Sequence, residues 1–173
     1  MTTGYIPLPP LAWYPTDDST GSASAQLSKR VTSDATDPQA RWVQWLFDPD
    51  TDEHIYTQFI MPGNYASGPV LKVYYKCVSA TSGDTVFEGR LLAVTDADAV
   101  DVDADEFAAT NASDATTVPG TAGYMDVLSI TLTNSDSVAA GDHVVLSLNR
   151  DISADGVAGD IEVVNCELQY TTT

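Results

Sequence analysis

The feature that most constrains the fold is an alternation of apolar and polar side chains, with a period of two, in short segments between turn residues. Residues 70–78 show it most clearly, since Leu71, Val73, Tyr75 and Cys77 share one face. Successive side chains of a strand point to opposite faces, so this period predicts strands with one buried face. Comparable segments are residues 41–47, 54–60, 84–94, 124–132, 143–150 and 161–170.

The linkers between these segments carry turn chemistry. Residues 79–84 and 139–142 combine Gly and Asp with small residues, which is typical of tight connections between strands. No segment has the length and the 3.6-residue period of a long helix. Seven or eight strands joined in this way predict an all-β fold, and their number and spacing favour an antiparallel β-sandwich.

The first 40 residues differ from the rest of the chain. Residues 5–15 contain four prolines, which lack the backbone N–H of a regular ladder and favour an extended chain. We therefore expect an extended Pro-rich N-terminal arm and linker over residues 1–40, followed by a sandwich domain over residues 41–173. The large apolar side chains of this arm are Tyr5, Ile6, Leu8, Leu11, Trp13 and Tyr14.

These apolar side chains need a surface to cover them. One interpretation is an ordinary first strand packed on its own domain, and another is an arm that reaches a neighbouring subunit in an assembly. A third interpretation is a Pro-rich ligand for an SH3-type domain. The sequence leaves these alternatives open.

The charge of the chain excludes several partners. It has 25 acidic residues against 7 basic ones, a net charge of −18. Nucleic-acid binding depends on Lys and Arg against phosphates, so we expect no nucleic-acid partner. Anionic membrane surfaces are disfavoured for the same reason, and no run of 18 apolar residues predicts a membrane-spanning helix. The first residues also lack the basic and apolar regions of a signal peptide.

Metal and cofactor sites are weakly indicated. The acidic stretch at residues 96–106 offers Asp101, Asp103 and Asp105 as oxygen ligands for Ca²⁺. Glu106 occupies the place where an EF-hand loop needs Gly, so a solvated acidic loop is the favoured interpretation. Residues 151–160 form a second loop of this kind. We expect no cofactor.

Catalytic patterns are missing from the sequence. His54 and His143 each open a predicted strand, and no Gly-x-Ser-x-Gly elbow accompanies them. Cys77 and Cys166 lie inside apolar strands and are expected to be buried thiols. We therefore expect a protein that is not an enzyme.

A set of aromatic residues admits two interpretations, core or subunit interface on one hand and a sugar-stacking platform on the other. Its members are Trp42, Trp45, Tyr56, Tyr65, Tyr74 and Tyr75.

The C-terminal third contains the turn Ala140-Gly141-Asp142 leading into a strand that ends in Arg150-Asp151, followed by Gly159-Asp160 and a last strand ending at Tyr170. In these features it resembles the jelly-roll structural proteins of tailed bacteriophages. Residues 61–68, 71–76 and 80–84 look similar to the same proteins, so the likeness covers roughly residues 41–170. It implies a jelly-roll β-sandwich of about eight antiparallel strands and a structural role in a virion.

The resemblance and the charge together suggest a position on the virion. Residues 1–28 contain no Lys or Arg, whereas a shell protein that encloses a genome usually has a basic arm. We therefore expect a capsid decoration (cement) protein, a homotrimer that binds the major capsid protein on the outer capsid surface. The alternative is a carbohydrate- or receptor-binding module of a phage tail fibre or spike.

Overall fold

The computed structural model describes residues 2–16, 23–33, 36–96, 99 and 101–173. The strands are β1 (Thr3–Leu8), β2 (Tyr14–Pro15), β3 (Ala23–Ser24), β4 (Gln26–Val31), β5 (Arg41–Phe47), β6 (Glu53–Ile60), β7 (Tyr65–Cys77), β8 (Asp84–Thr85), β9 (Phe87–Val94), β10 (Asn111–Ala112), β11 (Thr116–Thr117), β12 (Asp126–Thr131), β13 (His143–Arg150) and β14 (Ile161–Thr172). Two short 3₁₀ turns, Pro10–Ala12 and Val102–Ala104, are the helical elements of the described residues.

The central eight strands pair in a nested order. β5 pairs with β14, β6 with β13, β7 with β12 and β9 with β10, all antiparallel. This is one long hairpin of paired strands, and rolling it up brings β7 beside β14 and β9 beside β13. The result is a jelly-roll β-sandwich of eight antiparallel strands, which confirms the predicted fold class.

The rolled hairpin forms two main sheets. Sheet A has the order β12-β7-β14-β5-β4, with β1 along the C-terminal half of β14. Sheet B has the order β10-β9-β13-β6-β2, with β3 also on β6. The predicted alternation is confirmed because the inner faces of both sheets supply one continuous core, which includes Phe47, Val73, Leu146, Leu148 and Leu168.

The N-terminal segment lies on this same sandwich. β1 pairs with β14 from Thr3 opposite Thr171 to Leu8 opposite Cys166, and β2 pairs with β6 of the other sheet. Residues before 41 therefore add edge strands to both sheets. Pro7 is tolerated because an edge strand has one side without ladder bonds.

Side chains of the predicted arm divide into two groups. Leu8 and Trp13 belong to the buried core, and Ile6 packs partly buried against it. The Trp13 indole Nε1 donates to the Leu8 carbonyl at 3.1 Å, which closes the segment on itself. Tyr5 and Leu11 remain 57% and 72% exposed, and Tyr14 is also exposed. The segment is thus a strand of its own domain with an exposed apolar outer side.

A buried ion pair closes the loop between β13 and β14. Arg150 is 1% exposed, and its Nε and Nη2 donate to the two carboxylate oxygens of Asp155 at 2.9 and 2.8 Å. The remaining donors reach the carbonyls of Asp48, Val157 and Gly159. Asp155 thereby anchors the loop that the sequence offered as a second cation candidate.

Candidate functional site

An open cleft lies on the outer face of sheet A. Its volume is about 610 Å³, within the usual range of ligand pockets. It is lined by Val31, Thr32, Ser33, Trp42, Lys76, Gly123, Met125 and Val164. A second hollow of about 300 Å³, lined by Lys29, Arg30, Val31, Arg41, Trp42 and Val43, shares Val31 and Trp42 with the cleft.

Local irregularities of the chain shape this cleft. The pairing of β14 with β7 shifts register between Val163 and Asn165, so Val164 is the extra residue of a bulge. Gly123 has a positive φ of 82° and its N–H donates to the Cys77 carbonyl at 3.0 Å. This turn holds the exposed Met125 at the rim of the cleft.

Trp42 is the aromatic side chain of the cleft, and it is held in place. The indole is half-buried, and its Nε1 donates to Gln44 Oε1 at 2.8 Å. Gln44 is completely buried, so this bond fixes the indole against a rigid neighbour. The bond also orients the amide, whose Nε2 has no hydrogen-bond partner among the described residues.

A buried carboxylate lies beside the cleft. Glu162 is 0% exposed, although strand register places it on the outer face of sheet A opposite Lys76. Its two carboxylate oxygens form ion pairs with Arg30 and Lys76. Burial, and to a smaller degree the charge of Arg30, lower the pKa of Lys76 below its ordinary value. Glu162 thus neutralises part of the positive charge of Arg30 and Lys76.

The outer face of sheet B carries a different aromatic group. Tyr56 stacks on Tyr14, His54 and Phe107 with ring centroids 6.1 to 6.4 Å apart. Burial raises the pKa of Tyr56 and lowers that of His54. These rings contact each other, and Ala108 N–H bonds the Leu91 carbonyl to tie the Phe107 segment down. The group is a partly exposed aromatic cluster whose rings pack on one another.

The six aromatic residues of the predicted platform are not brought together. Trp45, Tyr65 and Tyr75 are buried in the core. Tyr74 lies on the outer face of sheet A, where its hydroxyl donates to Glu167 at 3.2 Å. Trp42 alone of the six lines the cleft. Sequence reasoning missed its cleft neighbours Lys76 and Met125. The alternation along β7 did indicate that Lys76 points outward, away from the core.

The acidic candidates serve local turns. Asp101 Oδ1 accepts from Asp103 N–H at 3.2 Å, and Asp105 Oδ1 accepts from Glu106 N–H at 2.9 Å. In the part of the chain that the structure describes, no group of three or more His, Cys, Asp or Glu side chains is arranged to hold a metal.

The two cysteines are buried free thiols, as predicted, and burial raises the pKa of both. Among the described residues no helix has the length and apolarity to cross a membrane.

Comparisons with known proteins bear on the fold. No family model and no curated protein sequence matches the chain. The structure is similar to the CBM22-1–GH10 modules of xylanase 10B from Clostridium thermocellum, a structure complexed with xylohexaose (TM-score 0.50, 11% identity, 95% of this chain and 27% of that chain). The chain therefore spans about a quarter of the length of that neighbour.

Two other solved structures are also similar to this chain. One is the family 11 carbohydrate-binding module from Clostridium thermocellum (TM-score 0.45, 12% identity, 97% of this chain and 96% of that chain). The other is the enzymatically active domain of tailspike protein 4 from bacteriophage CBA120 (TM-score 0.41, 10% identity, 95% of this chain and 19% of that chain).

Proposed function

We propose that this protein is a carbohydrate-binding module and that its ligand lies in the cleft on the outer face of sheet A. The observation that carries the proposal is the immobilised, half-buried indole of Trp42 in an open cleft of about 610 Å³. A fixed aromatic ring offers a flat apolar surface for the C–H face of a sugar ring at little cost in side-chain entropy.

Polar groups around the indole suit sugar hydroxyls. Thr32, Ser33 and Lys76 are the residues with polar side chains in the wall of the cleft. Sites of this kind combine an apolar surface with a few polar groups that fix the orientation of the ligand. The jelly-roll fold shared with the xylohexaose-complexed xylanase modules is compatible with this role.

The cleft is suited to binding without cleavage. Glycoside hydrolysis usually needs two carboxyl groups across the scissile bond. No carboxylate lines the cleft in the described part of the chain, and the adjacent Glu162 is buried in ion pairs. The proposed activity is therefore recognition of a glycan by a non-catalytic module.

Replacing Trp42 by Ala tests this proposal. We expect glycan affinity to fall at least about 30-fold, because removing a central aromatic anchor costs about 2 kcal/mol or more. Affinity electrophoresis against a panel of soluble polysaccharides, followed by calorimetry with the best ligand, measures the loss. Circular dichroism and a urea titration verify that the variant is folded.

Tyr14→Ala is the matched control, since it removes an exposed aromatic ring from the outer face of sheet B. We expect it to leave glycan affinity within about twofold of the wild type. A loss with Tyr14→Ala and none with Trp42→Ala would place the ligand on sheet B. Failure of the wild type to bind any polysaccharide of the panel would reject the proposed function.

A second candidate function, a trimeric capsid decoration protein, is supported by the apolar outer side of the N-terminal segment. Tyr5 and Leu11 are exposed in this segment, where a neighbouring subunit would cover them. Together with the sequence resemblance to phage jelly-roll proteins, this surface supports binding to the major capsid protein on the outer surface of a virion.

Light scattering after size exclusion tests the trimer. We expect a mass of three 18.4 kDa chains for the wild type and a shift toward one chain for the double variant Tyr5→Ser, Leu11→Ser. Tyr124→Ser, which changes an exposed ring in another region, is the control and should keep the trimer mass. A wild-type protein that stays monomeric at all concentrations would count against the decoration role.

A further inference from the structure

We propose that the glycan bound in the cleft is acidic, with a carboxylate on its sugar rings as in a chain of uronic acids. This inference rests on the proposed function and names the ligand class of the same site. It is carried by the distribution of positive charge in a chain whose net charge is −18.

Positive side chains are concentrated on one region of sheet A. Five of the seven basic residues lie on β4, β5 and β7. They are Lys29, Arg30, Arg41, Lys72 and Lys76. Of the remaining two, Arg150 is buried with Asp155, and Arg90 is exposed on sheet B.

Four of these five side chains line the cleft or the adjoining hollow. Lys76 lies in the wall of the cleft, and Lys29, Arg30 and Arg41 lie in the hollow. No acidic residue lines either space among the described residues. Glu162 neutralises part of this positive charge, because its carboxylate pairs with Arg30 and Lys76.

The four basic residues fall into two pairs, one bound to Glu162 and one not. Arg30 and Lys76 are held by its carboxylate, whereas no carboxylate in the described part of the chain pairs with Lys29 or Arg41. These two side chains are therefore available to an anion. An Arg guanidinium binds carboxylates in a two-point geometry, and such charged hydrogen bonds are stronger than neutral ones.

The positions of the cleft and the hollow define a path for the ligand. Lys29 and Arg41 lie on the face of the β4–β5 edge opposite Trp42, because neighbouring residues of a strand point to opposite faces. The hollow is lined by neighbouring residues of β4 and β5 at the edge of sheet A, and it shares Val31 and Trp42 with the cleft. A sugar chain that stacks on Trp42 and continues past the edge places its next carboxylates beside Lys29 and Arg41.

An extended glycan fits these features better than a nucleic acid. A nucleic acid binds through basic side chains that neutralise many of its phosphates, and the acidic remainder of this protein repels it. A uronate chain alternates carboxylates with apolar ring faces, which matches an indole in the cleft and basic side chains in the adjoining hollow. Binding should weaken with added salt, since the contacts to Lys29 and Arg41 are exposed.

The test compares acidic polysaccharides with neutral forms of the same backbone. Polygalacturonate, alginate and hyaluronan are offered beside their carboxyl-reduced derivatives, together with neutral xylan and dextran sulfate, in affinity electrophoresis at low salt. We expect at least one of the three uronate polymers to bind at least about tenfold more tightly than its reduced form.

Two variants that replace basic side chains by glutamine sharpen the comparison. Lys29→Gln combined with Arg41→Gln should remove the preference for the acidic form over its reduced form. Arg90→Gln removes a positive charge from the exposed face of sheet B and should keep the preference.

Each of the other possible results contradicts either the acidic ligand or the proposed function. Equal binding of acidic and reduced polymers, or binding of xylan alone, overturns the acidic ligand and leaves carbohydrate binding standing. Tighter binding of dextran sulfate that persists in the double variant shows unspecific anion binding and also overturns it. No binding to any polymer overturns the proposed function itself.

Discussion

Replacing Asp155 by Ala is expected to lower the free energy of unfolding by about 3–5 kcal/mol. The substitution leaves the Arg150 guanidinium, which is 1% exposed, with a buried positive charge and two unpaired donors. Thr85 loses the acceptor of its hydroxyl at the same time. Such a cost is a large fraction of the 5–15 kcal/mol by which a domain is usually stable.

Urea unfolding followed by tryptophan fluorescence measures this loss. Asp151→Ala is the matched control, because it lies in the same loop and its carboxylate accepts from Ser153 and Ala154 in an exposed turn. We expect the control to cost about 1 kcal/mol or less. Equal losses in both variants would show that the buried ion pair contributes no more than an ordinary loop contact.

The same pair predicts a dependence of stability on pH. Burial alone would raise the pKa of Asp155, but hydrogen bonds from Arg150, from the Thr85 hydroxyl and from Val157 N–H outweigh it and lower the pKa. A carboxyl with a lowered folded pKa stabilises the fold fully above its unfolded pKa of about 3.9 and loses this contribution as pH falls through the folded value. The difference in the free energy of unfolding between the wild type and Asp155→Ala should therefore become smaller at acid pH.

Strand positions could be predicted wherever alternation was regular. β13 has the predicted bounds of 143–150, because Val144, Leu146 and Leu148 fall at every second residue and are buried. β5 has the predicted bounds of 41–47, which rest on its aromatic, strand-favouring residues and on the turn residues that follow at 48–52. β7 begins at Tyr65, five residues before the predicted start. Gly68 and Pro69 resemble a turn in sequence, but Gly68 has a φ of 66° and the strand continues beyond an irregular register with β14.

The candidate site was harder to predict because its residues meet through strand pairing. Trp42 lies beside Arg30, and Lys76 beside Glu162, a residue 86 positions away in the chain. Local patterns identify which face a residue occupies but not which strand lies next to it. Trp42 was therefore grouped with Trp45 and Tyr75, which point into the core.

Deleting residues 2–13 is expected to prevent cooperative folding. The segment supplies Leu8 and Trp13 to the core, and loss of such side chains typically costs 2–5 and 3–5 kcal/mol. It also supplies a carbonyl from Pro10 to the Trp45 indole at 2.9 Å. These losses together approach the whole stability of a typical domain.

Close packing between β1 and β14 adds to this expectation. A Cβ placed on Gly4 would lie 2.3 Å from Cζ of the Tyr170 ring, so the two strands leave no space for a side chain there. Removing β1 exposes this ring and the edge of β14 to water. We expect the truncated protein to lose near-ultraviolet circular dichroism and to show no sigmoidal urea transition.

Leu11→Ser is the control for the deletion, since Leu11 belongs to the same segment but is 72% exposed. It should unfold at nearly the wild-type urea concentration. A truncated protein that unfolds cooperatively at the wild-type midpoint would mean that the segment is dispensable for the fold. Under the expected result, any assembly role of this segment must be tested by substitutions on its exposed side, because a deletion removes part of the core.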